Sequence, residues 1–309
     1  WDHKVQQLLQ NDPLFGPAPF DRSVDDKGNV IFLHMGRGVV KTVSHVKDGL
    51  KTPQAWNRFI AYNLLDEKDI AASKASYQRR VRSDIGYSVR RYHIDTFFSW
   101  AVRRLEKGII ILDMGGERES ARGAFRISEF DVKVTYANMD LSRKPDCACN
   151  IQRLPFLNAS FGAVILSEAL EHVVEPLVVL REANRMLKPG GKLLICSPFL
   201  NAIHADPFDY CRFTLEWFRR NLYDAGFMIE DAKAHGYFFR VIAEMLKNWA
   251  KMSYKNDYPL RLIRGWWLRK ILLMLHNYFL GIEEKYHIKQ HAGFSAYTTG
   301  FGIVAYKFK

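Results

Sequence analysis

Residues 108–116 read Gly-Ile-Ile-Ile-Leu-Asp-Met-Gly-Gly, and after a polar stretch residues 132–140 read Val-Lys-Val-Thr-Tyr-Ala-Asn-Met-Asp. A short apolar run that stops at an acid and a glycine pair is the pattern of a buried strand entering a tight turn. The second run repeats the pattern and stops at a second acid, Asp140. In an α/β sheet this is how the adenosine half of a cofactor is held: glycines let the backbone approach, and the second acid reaches a ribose. Glu117 stands where a further glycine is expected, so the turn by itself is a weak signal.

Strand and helix patterns alternate from residue 109 onward, which implies a mostly parallel sheet. Strands are expected at 109–114, 131–137, 162–167, 192–198 and 301–308, and helices at 118–126, 175–188 and 213–226. Lys-Pro-Gly-Gly at 188–191 ends one helix and turns the chain into the next strand. Residues 71–108 and 237–281 read as helical and basic, and Asn29–Gly38 reads as a short strand. The expected architecture is a Rossmann-like, doubly wound, seven-stranded and mostly parallel sheet. It carries an N-terminal extension over 1–84, a core over 85–236, and a helical lid or insertion plus the last strand over 237–309.

Composition bounds the partners. The chain has 309 residues, a net charge of +12 and a hydrophobic share of 48%, enough for a sizeable core. The positive balance points to an anionic partner: phosphate-rich ligand, nucleic acid or membrane surface. Cys147, Cys149, Cys196 and Cys211 lack the paired spacing of a zinc site. They read as structural or incidental thiols in a reducing compartment, and no metal is expected. The N-terminus has neither an initiator Met nor the apolar segment of a signal peptide, so the chain reads as processed or as a fragment. A cytoplasmic protein is expected.

The ordered set Asp113-Met-Gly115-Gly116, Asp140, Asn150, Leu154-Pro-Phe156, Glu168-Ala-Leu-Glu171-His172, Arg185-Met-Leu-Lys-Pro-Gly-Gly191 and Ser197-Pro-Phe199 resembles the class I S-adenosylmethionine-dependent methyltransferases of the broad small-molecule type 11 group. The likeness covers residues 85–236. It implies S-adenosyl-L-methionine as cofactor, with Gly115, Gly116, Asp113 and Glu117 by its methionine end. Asp140 and Leu141 would lie by the ribose, Asn150 and Ile151 by the adenine, and Ser167 and Glu168 would face the sulfonium and acceptor. Two alternatives stand beside these roles: Asp113 shaping the turn through backbone amides rather than touching the ligand, and Glu168 capping a helix rather than meeting the cofactor.

Residues 198–214, with His204, Asp206, Asp209, Tyr210, Arg212 and Thr214, are similar to a segment of methyltransferases of bacterial polysaccharide and glycan biosynthesis. A sugar hydroxyl is a poor nucleophile, and a histidine with a pKa of about 6.5 suits its deprotonation. His204 is therefore the candidate base, Asp206 or Asp209 its orienting partner or a sugar ligand, and Tyr210 and Arg212 candidate substrate contacts. Two plain readings stand beside these: Asp209 and Arg212 as a structural ion pair, and Thr214 as the N-cap of the following helix. His172 is expected to pack at a helix start.

The uncharged run 271–281, beside Trp266, Trp267, Arg269 and Lys270, is shorter than the ~20 residues that span a bilayer. It fits a lid or homodimer contact, or a helix lying peripherally on an anionic membrane surface. The expected function is methyl transfer to a hydroxyl of a sugar or glycan acceptor, with a lipid-linked glycan in view. The alternatives are a nucleic-acid methyltransferase and a non-catalytic binding module with a degenerate cofactor turn. Nucleic acid is disfavoured because Ser167-Glu-Ala-Leu-Glu-His lacks the Asn/Asp-Pro-Pro-aromatic signature of amino-methylating enzymes.

Overall fold

The computed structural model describes residues 20–24, 30–34, 70–118, 123–205, 207–252, 266–286 and 292–308. Strands β1 (Phe20–Val24) and β2 (Val30–His34) form an antiparallel pair. Helices α1 (Ala71–Ser83) and α2 (Val89–Arg103) precede the main sheet. The sheet is built from β3 (Ile109–Met114), β4 (Val132–Asn138), β5 (Cys147–Ala148), β6 (Phe161–Ser167), β7 (Leu187–Pro198), β8 (Phe227–Ala234) and β9 (Gly300–Lys307). Its order is β5-β4-β3-β6-β7-β9-β8, and only β9 runs antiparallel to its neighbours. Helices α3 (Pro176–Met186) and α4 (Leu215–Asp224) lie within the core, while α5 (Phe238–Met252), α6 (Trp266–Lys285) and α7 (Ala292–Ser295) separate β8 from β9.

Alternation along the strands sorts side chains onto two faces, because successive strand residues point to opposite sides. Leu112, Val164, Leu166, Leu193, Ile195 and Ile303 pack against α3 and α4. Ile111, Ala163, Ile165, Leu194, Cys196 and Val304 pack against Phe97, Phe98, Trp100 and Ala101 of α2. A third cluster joins Tyr77, Val81 and Tyr92 of the first two helices to Ala243 and Leu280 of α5 and α6.

Of the helix expected at 118–126, residues 118 and 123–126 are not helical, and 119–122 lie outside the described residues. The Asp95 carboxylate of α2 accepts the Ala124 amide at 2.6 Å. Phe125, Ile127 and Phe130 pack into the α2 face of the sheet as an irregular strap. The extended reading within 29–38 coincides with β2. Thr214 caps α4 by accepting the Trp217 amide at 3.1 Å.

Candidate active site

A cavity of about 1130 Å³ opens at the carboxyl ends of β3, β4 and β6, where open α/β sheets place their ligands. Asp113, Gly115, Gly116, Glu117, Asn150, Ile151, Ser167, Glu168, His204 and Tyr210 line it. Asp140, Leu141, Asp209 and Arg212 do not, and Asp206 lies outside the described residues. The volume exceeds the 300–1,000 Å³ or so of a single-ligand pocket and leaves room for two molecules.

The glycine turn forms one end. Gly115 sits at φ +86°, in the left-handed region that side chains avoid. A Cβ on Gly116 would overlap the Asp113 carboxylate. The turn is tied across to β4, with Asn138 Nδ2 donating to the carbonyls of Gly115 and Gly116 at 2.9 and 3.0 Å. Asp113 does not bridge backbone amides as expected. Its Oδ1 is buried with no hydrogen-bond partner, and burial pushes its pKa up to about 7. Glu117 pairs with Arg143 at 3.3 Å. Asp140 accepts the Ser142 amide at 2.9 Å, and its neighbours Met139 and Arg143 line the cavity while it stands at the rim.

Glu168 caps no helix. It follows directly on β6 at φ +52°, a strained conformation for a non-glycine residue and one that gathers at functional sites. The buried Arg90 of α2 grips its carboxylate through two nitrogens, Nε at 2.6 Å and Nη2. A further Arg90 nitrogen donates to the Thr299 carbonyl at 3.1 Å. The pattern gave no hint of Arg90, since one arginine among many in a basic helix looks solvated.

At the other end His172 and His204 line the cavity, and behind them, outside the lining, lies the fully buried Glu171. Neither of its carboxylate oxygens has a hydrogen-bond partner. Burial, then the nearby Glu168 charge, raises its pKa to about 8. His172 Nε2 stands 3.7 Å from Glu171 Oε1, and His204 Nε2 stands 3.9 Å from the same atom. The two imidazoles meet edge to face, with centroids 4.9 Å apart. His172 thus does more than pack beside a turn, and Glu171 appears in the sequence only as part of a motif with no assigned role.

The loop carrying His204 is held by an ion pair. Asp209 is nearly buried and binds Arg212 through two contacts, at 2.5 and 2.7 Å. It also accepts the His204 amide at 2.9 Å. Arg212, then the His204 amide, holds the Asp209 pKa well below the usual carboxylate range. The structural ion-pair reading therefore describes Asp209 and Arg212, and the Asp209 carboxylate, 3.4 Å from His204 Nδ1, also orients the imidazole.

Residues 124–195 match the family described as Methyltransferase domain. The chain is similar to demethylmenaquinone methyltransferase of Mycolicibacterium paratuberculosis, 43% identical over 54 residues, 18% of this chain and 24% of that protein. It is also similar to the enzyme of that name from Mycobacterium bovis, 29% identical over 155 residues, 46% of this chain and 65% of that protein. The chain thus spans about a quarter of the length of the first of these relatives. Among solved structures, Burkholderia thailandensis 1,6-didemethyltoxoflavin-N1-methyltransferase, with S-adenosylhomocysteine bound, is 14% identical with a TM-score of 0.42, over 94% of this chain and 100% of that one.

Proposed function

We propose that this chain, whose sheet is a class I S-adenosylmethionine-dependent methyltransferase domain, moves a methyl group onto an oxygen of a polar acceptor, a sugar or glycan hydroxyl. The observation that carries the reading is a single cavity with two chemically distinct ends: a bare glycine turn over an unpaired carboxylate, and an acid–histidine cluster. The first end fits the cofactor. Gly116 leaves no room for a side chain, and the orphan oxygen of Asp113 suits the ammonium group of an amino acid. Asn150 and Ile151 line the side suited to adenine, and Asp140 at the rim suits the ribose hydroxyls.

S-adenosylmethionine, when bound, supplies an electrophilic methyl group. The protein's own part is to align the acceptor with it, exclude water and remove a proton. Proton removal falls to the Glu171–His172–His204 cluster, with His204 the member carried on the loop. Its Nδ1 faces the Ala202 carbonyl at 3.1 Å; since a carbonyl only accepts, Nδ1 carries the hydrogen and Nε2 is left to take a proton. Calorimetry with S-adenosylhomocysteine tests the reading. One binding site is expected, and absence of binding would leave only a methyltransferase-like scaffold.

A second feature supports contact with an anionic membrane surface. No helix among the described residues is long and apolar enough to cross a membrane. Helix α6 buries Leu272 and packs His276 and Leu280 against α1 and α5, but exposes Trp267, Ile271, Met274 and Tyr278. These recur three to four residues apart, so they form one outward stripe. The inner face packs on helices α1 and α5, and membrane contact would use the outer one. Co-sedimentation with anionic liposomes at low salt is expected, and the Trp267→Ala/Tyr278→Ala variant is expected to lose it.

A further inference from the structure

The acid–histidine end brings three possible ligand atoms together. His172 Nδ1 faces the Phe208 carbonyl at 2.6 Å, and His204 Nδ1 faces the Ala202 carbonyl at 3.1 Å. A carbonyl cannot donate, so in each neutral ring Nδ1 holds the hydrogen and Nε2 presents a lone pair. Both Nε2 atoms face the Glu171 carboxylate, whose two oxygens are buried and unpartnered. The nearby guanidinium groups do not answer it: Arg90 is spent on Glu168 and Arg212 on Asp209. One buried carboxylate and two partly exposed imidazoles thus offer three ligand atoms to a cation.

We propose that Glu171, His172 and His204 form a binding site for a divalent transition-metal ion of the zinc class, at the acceptor end of the cavity. One ligand atom from each residue lies within 4.8 Å of the other two. For metal–ligand bonds of about 2.1 Å, a tetrahedral edge is about 3.4 Å, a few tenths shorter than the 3.7 and 3.9 Å separations from Glu171 Oε1. The His204 ring is about two-fifths exposed, so a small rotation closes the set.

Two imidazoles and one carboxylate favour zinc and its first-row neighbours over magnesium, which prefers an all-oxygen shell. The orienting bonds on both Nδ1 atoms are the outer-shell contacts that fix a metal-binding histidine. Three protein ligands leave a fourth position open toward the cavity, the arrangement of a catalytic rather than a structural site. An acceptor hydroxyl in that position would be acidified by the ion. That last assignment rests on the methyltransferase reading and replaces the base role of His204, whose Nε2 lone pair the ion would occupy; the binding itself does not rest on it.

The test is titration of the metal-stripped protein with Zn²⁺ against a chromophoric chelator, with Co²⁺ absorption as a spectroscopic readout. One equivalent is expected, with a visible cobalt band of tetrahedral or five-coordinate type. His172→Ala and His204→Ala are each expected to weaken binding at least tenfold while circular dichroism stays unchanged, and Cys147→Ser/Cys149→Ser is expected to leave it intact. The proposal is overturned if no equivalent binds, if both histidine variants bind like the parent, or if only the cysteine variant loses the ion. Cofactor affinity is measured in the same samples: zinc binding without S-adenosylhomocysteine binding would sink the methyltransferase reading and spare the metal site. Turnover unchanged by chelation but lost in His204→Ala would return His204 to the role of a bare base.

Discussion

The two ends of the cavity are built in opposite ways. At the β3 end the backbone makes the site: Gly115 and Gly116 strip away side chains, and Asn138 ties the turn to β4. At the β6 end side chains make it: Glu171, His172 and His204 converge from a short turn and a distant loop. A backbone site depends on the absence of atoms, so enlarging a residue damages it. A side-chain site depends on their presence, so truncation damages it. Binding and chemistry should separate along this divide.

His204→Ala is expected to have the largest effect, lowering turnover by about 10²–10⁴-fold, the range for removing a group that governs proton transfer. Affinity for S-adenosylhomocysteine should stay within about twofold, because its contacts are expected at the other end. Single-turnover kinetics paired with calorimetry reads both quantities. Unchanged turnover removes His204 from the chemistry, and a joint loss of affinity erases the contrast between the two ends.

Gly116→Ala is the reciprocal change. Its Cβ would overlap the Asp113 carboxylate beneath the turn, so the turn must shift. Affinity for S-adenosylhomocysteine should fall by about a hundredfold, some 2.7 kcal/mol. Turnover at saturating cofactor should fall far less. If calorimetry finds the affinity intact, the cofactor does not lie against this turn.

How much of this was legible in the sequence follows the same division. A glycine turn between a buried strand and a polar segment is a local pattern, and β3, β4 and β6 lie where the apolar runs put them; β7 starts earlier, at Leu187, and takes in the Lys-Pro-Gly-Gly expected as a turn, with a shift of register beside it. Of the helix expected at 118–126, the described end at 123–126 is not helical because it is held from far along the chain: Asp95 takes the Ala124 amide. Arg90 was invisible for a similar reason. Its burial depends on Glu168 and on the Thr299 carbonyl, 78 and 209 residues away. Glu171 and His172 were in plain view as a motif, yet their chemistry emerges only when the loop brings His204 within 4 Å of the carboxylate. Alternation reports which face a residue occupies; it does not report which distant side chain will meet it there.

Asp113 offers the finest test, because it sits at the backbone end but acts through a side chain. Its buried carboxyl has a pKa of about 7, against about 3.9 unfolded. Between those values the folded state holds the proton and the unfolded state has lost it, so this group's contribution to stability falls as pH rises from about 4 to 7. An ammonium-bearing ligand prefers the ionised form. Affinity for S-adenosylhomocysteine should therefore rise as pH climbs through 7, by about tenfold between pH 6 and 8. Asp113→Asn keeps the shape and removes the titration. It should flatten both the pH dependence of affinity and this part of the pH dependence of thermal stability. A variant that keeps the parent's affinity slope assigns the titration to another group and leaves the orphan oxygen of Asp113 without a ligand partner.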